Sequence, residues 1–266
     1  MTAMLRRFYA MFLRQVFLIL RSPPRLISLV FWPTINMVIW GFLNKYLFLQ
    51  NPIAGFTLST LLGATLLNNF FERSNINTMF TFLEDVWARN LGNIVITPLR
   101  PLEMISGYIL TGVFNLVIGV GTACIISYFL FGYSIFEIGA GLIPFIINLV
   151  ISGWCVGIIL ICVVIRFGTS GEYFGWMLAV LLIPFIAVYY PVSILPSAMQ
   201  YISWALPPTY IFEALREYIA TGVVNWSYIK KASFLNIFYL DVMMYAFVYN
   251  LNKVRQKNGL LSMDAS

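Results

Sequence analysis

The chain has 266 residues, of which 61% are hydrophobic and only 10% charged, with 16 Lys and Arg against 10 Asp and Glu. A water-soluble domain carries roughly 25% charged residues, so composition excludes a soluble enzyme, a disordered segment and a secreted disulfide scaffold. At about 20 apolar residues per crossing, the length accommodates roughly six membrane spans, and a net charge of +6 placed beside apolar runs follows the positive-inside rule rather than nucleic-acid binding.

Residues 1–24 predict an amphipathic helix. Arg7, Arg14 and Arg21 recur every seven residues and form one narrow basic stripe among Phe8, Met11, Phe12, Phe17, Leu18 and Ile19. These arginines interrupt the apolar core that a cleaved signal requires. The segment is expected to lie in the membrane interface with its arginines toward lipid phosphates, an ordinary first span being the alternative. Ser22-Pro23-Pro24 breaks it. A first span is expected over 26–48, with Trp32, Asn36 and Trp40 on one helical face. Asn51-Pro52 marks an outer loop. The second span starts near Ile53, is apolar as far as Leu67 and turns polar beyond, with Asn68, Glu72, Asn75 and Met79 on one stripe.

Residues 82–101 are the most charged stretch between spans. Their early part predicts a short amphipathic helix with Leu83, Val86, Trp87, Leu91 and Ile94 on one side, and Pro98 and Pro101 then break the chain. A third span is expected over 102–131, a short outer turn over 132–141, and a fourth span over 142–165. The spacing of Gly153 and Gly157 in that fourth span lets another helix approach closely. A tight inner turn over 166–171 leads to a fifth span over 172–190. Residues 191–226 are apolar but punctuated by Pro191, Pro196, Pro207 and Pro208. Two short helices near 197–205 and 208–220, dipping back into the outer leaflet, accommodate that pattern. A sixth span over 232–250 carries Asp241 near its centre. The expected fold is an all-α polytopic membrane domain over 1–266.

The chemistry available is narrow. Histidine is absent, and Cys124, Cys155 and Cys162 sit in apolar runs as buried thiols. No metal or bound cofactor is expected. With the predicted topology, 12 of the 16 Lys and Arg fall on the inner side, which puts both termini in the cytoplasm. Asp241 is expected to make a helix-packing hydrogen bond, a protonatable switch being the alternative. Glu213 and Arg216, three residues apart, are spaced to pair. Trp32, Asn36, Trp40, Asn68 and Asn69 are candidates for a translocation path, since aromatic faces with amides suit amphiphiles or sugars; a lipid-facing belt is the other reading. No Gly-x-x-x-x-Gly-Lys-(Ser/Thr) occurs, so ATP hydrolysis is not expected of this chain.

The chain resembles the type-2 ABC exporter permeases over nearly its whole length. The resemblance rests on the basic N-terminal helix, six spans, Thr97-Pro98-Leu99-Arg100-Pro101-Leu102-Glu103 with Gly107 beyond, the Tyr190-Pro191…Pro196 turn, and Leu206-Pro207-Pro208-Thr209-Tyr210…Arg216. Many members carry an Arg-Glu-Arg-Glu-x-Gly-Thr run where this chain has 82–90, as a sub-branch would. The resemblance implies an inner-membrane exporter in which two permease copies pair above two cytoplasmic ABC ATPase subunits that bind the ATP and magnesium. It also implies a coupling helix between spans two and three, here with Trp87 as anchor, Glu84, Asp85 and Arg89 as orienting charges, and Asn90 beside them. The outer gate would comprise Pro191, Pro207, Pro208, Tyr210, Phe212, Glu213 and Arg216. The cargo would be hydrophobic, lipid-like or a lipid-linked glycan, with membrane lipids as further partners and no nucleic acid. A membrane enzyme acting on lipid-linked substrates would need clustered acids or a metal site, and an ion-coupled transporter would need several intramembrane ionisable residues; both remain alternatives.

Overall fold

The computed structural model of the chain describes residues 3–50, 58–95, 97, 99–168 and 171–256. The expected loop at Asn51-Pro52, the start of the second span at Ile53, the break at Pro98, residues 169–170 of the inner turn and Lys257 lie outside them. The regular elements among the described residues are all helical: α1 (Ala3–Leu20), α2 (Pro23–Gln50), α3 (Leu58–Trp87), α4 (Leu91–Val95), α5 (Pro101–Phe131), α6 (Leu142–Phe167), α7 (Gly171–Leu182), α8 (Ser197–Ala205), α9 (Pro207–Thr221) and α10 (Trp226–Gln256). Short 3-10 turns cover Ile135–Gly141 and Val192–Ile194.

Among the described residues, four segments are long and apolar enough to cross a bilayer: Pro23–Tyr46, Pro101–Phe131, Ile135–Phe167 and Trp226–Lys253. These cover the expected first, third, fourth and sixth spans. α3 has the length, at 30 residues, but its middle carries the polar run from Asn68 to Asn77, which lowers its hydropathy. α7 stops after 12 residues, earlier than the expected fifth span. Pro184 explains the stop, because it supplies no amide donor and its ring crowds the preceding turn. The chain tightens there, with the Ile183 N–H donating to the Val180 carbonyl at 3.2 Å and that of Phe185 to Leu182 at 3.0 Å.

α3 is the central strut. It packs most extensively on α6 and also meets α2 and α5. The α3–α6 contact depends on absent side chains: a Cβ on Gly153 would stand 2.7 Å from the Phe71 carbonyl oxygen, and one on Gly157 would stand 2.9 Å from that of Asn75. The two backbones therefore approach as the glycine spacing requires. α6 is also tied to α10 by a buried amide ladder. The Asn236 side-chain amide donates to the Asn148 carbonyl at 2.9 Å and to Asn148 Oδ1 at 3.0 Å, while Ser152 Oγ donates to Asn236 Oδ1 at 2.7 Å.

Buried apolar residues form two clusters. One, toward the α9 end, contains Leu66, Phe145, Leu149, Phe212 and Leu215. The other, toward the α1 end, contains Met11, Phe82, Leu91, Tyr108, Ile161 and Phe247. Asp241 joins neither. It is exposed on α10 without a hydrogen bond among the described residues, so the expected intrachain packing bond is absent.

Candidate functional site

At the α1 end, three helices are joined by buried charge. α3 runs without Gly or Pro from Ala64 to Trp87, so nothing breaks it where a separate amphipathic helix was expected over its last turns. It ends only at Trp87; Arg89, two residues on, adopts a left-handed φ of 51°, and the Asn90 N–H returns to the Asp85 carbonyl at 2.9 Å. The separate helix is the five-residue α4, anchored by the buried side chains of Leu91 and Ile94.

This geometry sorts the expected coupling residues. Asp85 is 2% exposed and faces inward. It accepts from Arg14 Nη2 at 2.6 Å, from Gln15 Nε2 at 3.0 Å and from the Tyr108 hydroxyl at 2.8 Å. It is thus an internal tie rather than a surface charge. Glu84 pairs with Arg25 at 3.3 Å; burial pushes its carboxyl above the usual range, and Arg25 opposes that shift. Trp87, Arg89 and Asn93 are exposed and Asn90 is half-buried. The Trp87 indole N–H donates to Glu172 at 3.3 Å, and its ring meets Phe80 edge-on with centroids 5.8 Å apart.

The basic stripe of α1 also changes role. Arg7 forms a forked pair with Glu103, with Nε at 3.1 Å and Nη2 at 2.8 Å, and Glu103 additionally accepts the Arg100 N–H at 3.0 Å to cap α5. Two of the three stripe arginines thus face protein carboxylates, correcting the expectation that they face lipid phosphates. A buried carboxylate is costly without a counter-charge, and Asp85 and Glu103 find theirs in α1. Arg21 alone of the three is exposed, 5.9 Å above the Phe17 ring.

Midway along the bundle the path candidates separate. Asn36 of α2 and Asn68 of α3 converge on Glu72, donating at 3.1 and 2.7 Å. Asn69 turns away and donates to the Thr65 carbonyl at 3.1 Å. Trp40 stacks on Tyr189 with centroids 4.4 Å apart, while Trp32 stays exposed at the wall of a different cavity. Glu72, the hub, was visible in the sequence only as one member of a polar stripe.

At the α9 end, Arg216 closes the turn after α7. Its guanidinium donates to the carbonyls of Ala187, of Val188 at 3.2 Å and of Tyr190 at 2.7 Å, and to Glu213 Oε1 at 3.2 Å. Glu213 in turn accepts the Val192 N–H at 2.8 Å. The expected pair therefore forms, and it clamps a backbone in which Ala187 has a φ of 51°. Burial holds the Arg216 guanidinium below its ordinary value, partly offset by Glu213. Pro207 and Pro208 open α9, and both are buried. Pro191 precedes the 3-10 turn Val192–Ile194. Phe212 is wholly buried among the core residues, whereas Tyr210 packs beside Trp204 and Tyr228, centroids 5.0 and 6.1 Å away.

A helical bundle with membrane-length apolar helices, buried charge ties and a short polar projection between α3 and α5 defines a polytopic membrane protein. The description "ABC-2 type transporter" matches residues 6–220, and the chain belongs to that family. It is a membrane permease subunit of an ABC transporter, itself a transport subunit and not the ATPase. The family implies a partner ABC ATPase. No curated protein matches the chain.

Proposed function

We propose that this permease exports a hydrophobic, lipid-like or lipid-linked glycan substrate by coupling to its ATPase through the projection between α3 and α5. The observation that carries the proposal is the placement of Trp87, Arg89, Asn90 and Asn93 at the free end of a helix whose last turns are tied to α1 and α5. A docking surface transmits motion only if it moves with the elements behind it. The Arg14–Asp85 and Arg7–Glu103 pairs supply that linkage, because a push on the α3 end is carried directly into α1 and α5. Trp87 also reaches Glu172 at the start of α7, which extends the linkage to a fourth helix.

In this reading α3 and α7 complete a six-span topology with both termini in the cytoplasm of a bacterial inner membrane. Two copies pair around the path, and α8 and α9 dip into the outer leaflet. The Arg216 clamp holds the outer turn, and Tyr210 with its aromatic neighbours helps seal the exit, since an apolar constriction blocks water and ions without a binding site. The ATPase subunit holds the ATP and magnesium.

Co-expression with the cognate ABC ATPase tests the core of this proposal. Wild-type permease should capture the ATPase, and Trp87→Ala and Arg89→Glu should insert normally yet capture it at least tenfold less. Undiminished capture and transport by both variants would reject the coupling surface.

A further inference from the structure

A cavity of about 420 Å³ opens between α2, α3, α5 and α7, away from the Glu72 hub. Its lining includes Arg73, Asn77, Asn115, Trp32 and Trp176, with the Arg25–Glu84 pair also contributing. Arg73 has a buried Nε without a partner and makes no hydrogen bond or ion pair among the described residues. Its sequence neighbour Glu72 attracts it through space but forms no ion pair with it, both Glu72 oxygens being directed at Asn36 and Asn68. Asn115 Oδ1, in the same cavity, is buried and also unpartnered.

A guanidinium whose Nε is buried without an acceptor is stabilised when an anion meets it, and its planar fork matches a carboxylate or phosphate oxygen pair. The charged side chains lining the cavity are Arg73 and Arg25 against Glu84, a lining balance of one positive charge that Glu72 moderates from outside the cavity. The orphaned Asn115 oxygen calls for a hydroxyl or amide donor beside that anion. Trp32 and Trp176, 57% and 38% exposed, offer apolar walls to the body of such a molecule. We infer that this cavity binds the head of a monoanionic amphiphile that carries a hydrogen-bond donor next to its charged group, with Arg73 gripping the anion. This deepens the export reading, on which it rests, by naming the head-group chemistry of the cargo.

Binding is measurable without turnover. Purified full-length permease in a neutral maltoside detergent is titrated with lyso-phosphatidylglycerol, lyso-phosphatidylcholine and inorganic phosphate, with thermophoresis as the readout. The glycerol head should bind saturably and at least tenfold more tightly than the choline head, which carries a compensating cation. Inorganic phosphate should not displace it, which separates a lipid head from a free anion. Arg73→Gln should weaken binding at least tenfold and Arg73→Lys less, and Asn115→Leu should reduce the preference for the hydroxyl-bearing head. Because Asn115→Leu leaves the charge in place, it tests the site even where an arginine variant fails to fold. Equal affinity of wild type and Arg73→Gln, equal binding of the two lipids, or displacement by phosphate alone overturns the inference. Parallel capture of the ATPase by the same preparation separates the two ideas: capture without lipid binding rejects only the cavity assignment, and lipid binding without capture rejects the coupling reading.

Discussion

Asp85 concentrates more of the fold than any other side chain. One carboxylate, nearly excluded from solvent, is shared by a guanidinium, an amide and a phenol from α1 and α5. Removing one partner of such a set leaves the others buried and unpaired, at a cost of about 3–5 kcal/mol. Asp85→Ala should therefore lower the thermal unfolding midpoint in detergent sharply, whereas the joint exchange Arg14→Met with Asp85→Leu should recover much of the loss. A second residue-scale prediction concerns Arg89. Its left-handed backbone is strained for a residue with a Cβ, by roughly 1–2 kcal/mol. Arg89→Gly should leave thermal stability unchanged or raised, and Arg89→Val should lower it, since a β-branched side chain tolerates positive φ poorly. If glycine also weakens ATPase capture, the arginine is retained for its charge and not for its conformation.

Among the elements, the α3–α6 contact and the Arg216 clamp are the most exposed to single changes. Gly157→Leu would force the helices apart against the Asn75 carbonyl, and overpacking of this kind costs about 1–3 kcal/mol. The expected result is a lower yield of monodisperse protein and a reduced melting temperature. Arg216→Ala would release several turn carbonyls and strand Glu213. Limited proteolysis should then cut within 183–196, a segment expected to resist cleavage in the wild type. Arg216→Lys should protect only partly, because an ammonium lacks the planar fork that spans these acceptors. Had the Glu213–Arg216 pair been merely a surface contact, neither variant would change the cleavage pattern.

For the whole molecule, the decisive measurement is topology. Cysteines introduced at Ser134 and Asn225 should label from outside the cell and stay protected from inside. Cytoplasmic labelling of either would overturn the six-span proposal and, with it, the cytoplasmic position of Trp87. The same variants, assembled with the ATPase, show whether the α3 projection faces the subunit that drives transport.

Much of this was legible in the chain itself. Sparse charge and long apolar runs require a membrane protein, because too few polar groups exist to wet a soluble surface. Prolines and glycines punctuate the helices close to where they end: the break at Ser22-Pro23, the start of α8 at Ser197 and the entry to α9 at Pro207-Pro208 follow from local backbone chemistry. The Gly153 and Gly157 spacing and the Glu213–Arg216 pair were also readable, since each depends on neighbours within a turn or two. What sequence periodicity does not carry is the partner across space. The α1 arginine stripe has the same spacing whether it meets lipid phosphates or Asp85 and Glu103, and Asp85 looks like any surface acid until α1 and α5 close over it. The tertiary structure also leaves Arg73 without a hydrogen bond among the described residues while giving Glu72 beside it two, because consecutive residues on a helix point to different neighbours. Local chemistry set where the helices begin and end; the packing of distant helices decided which charges became ties and which was left free for a ligand.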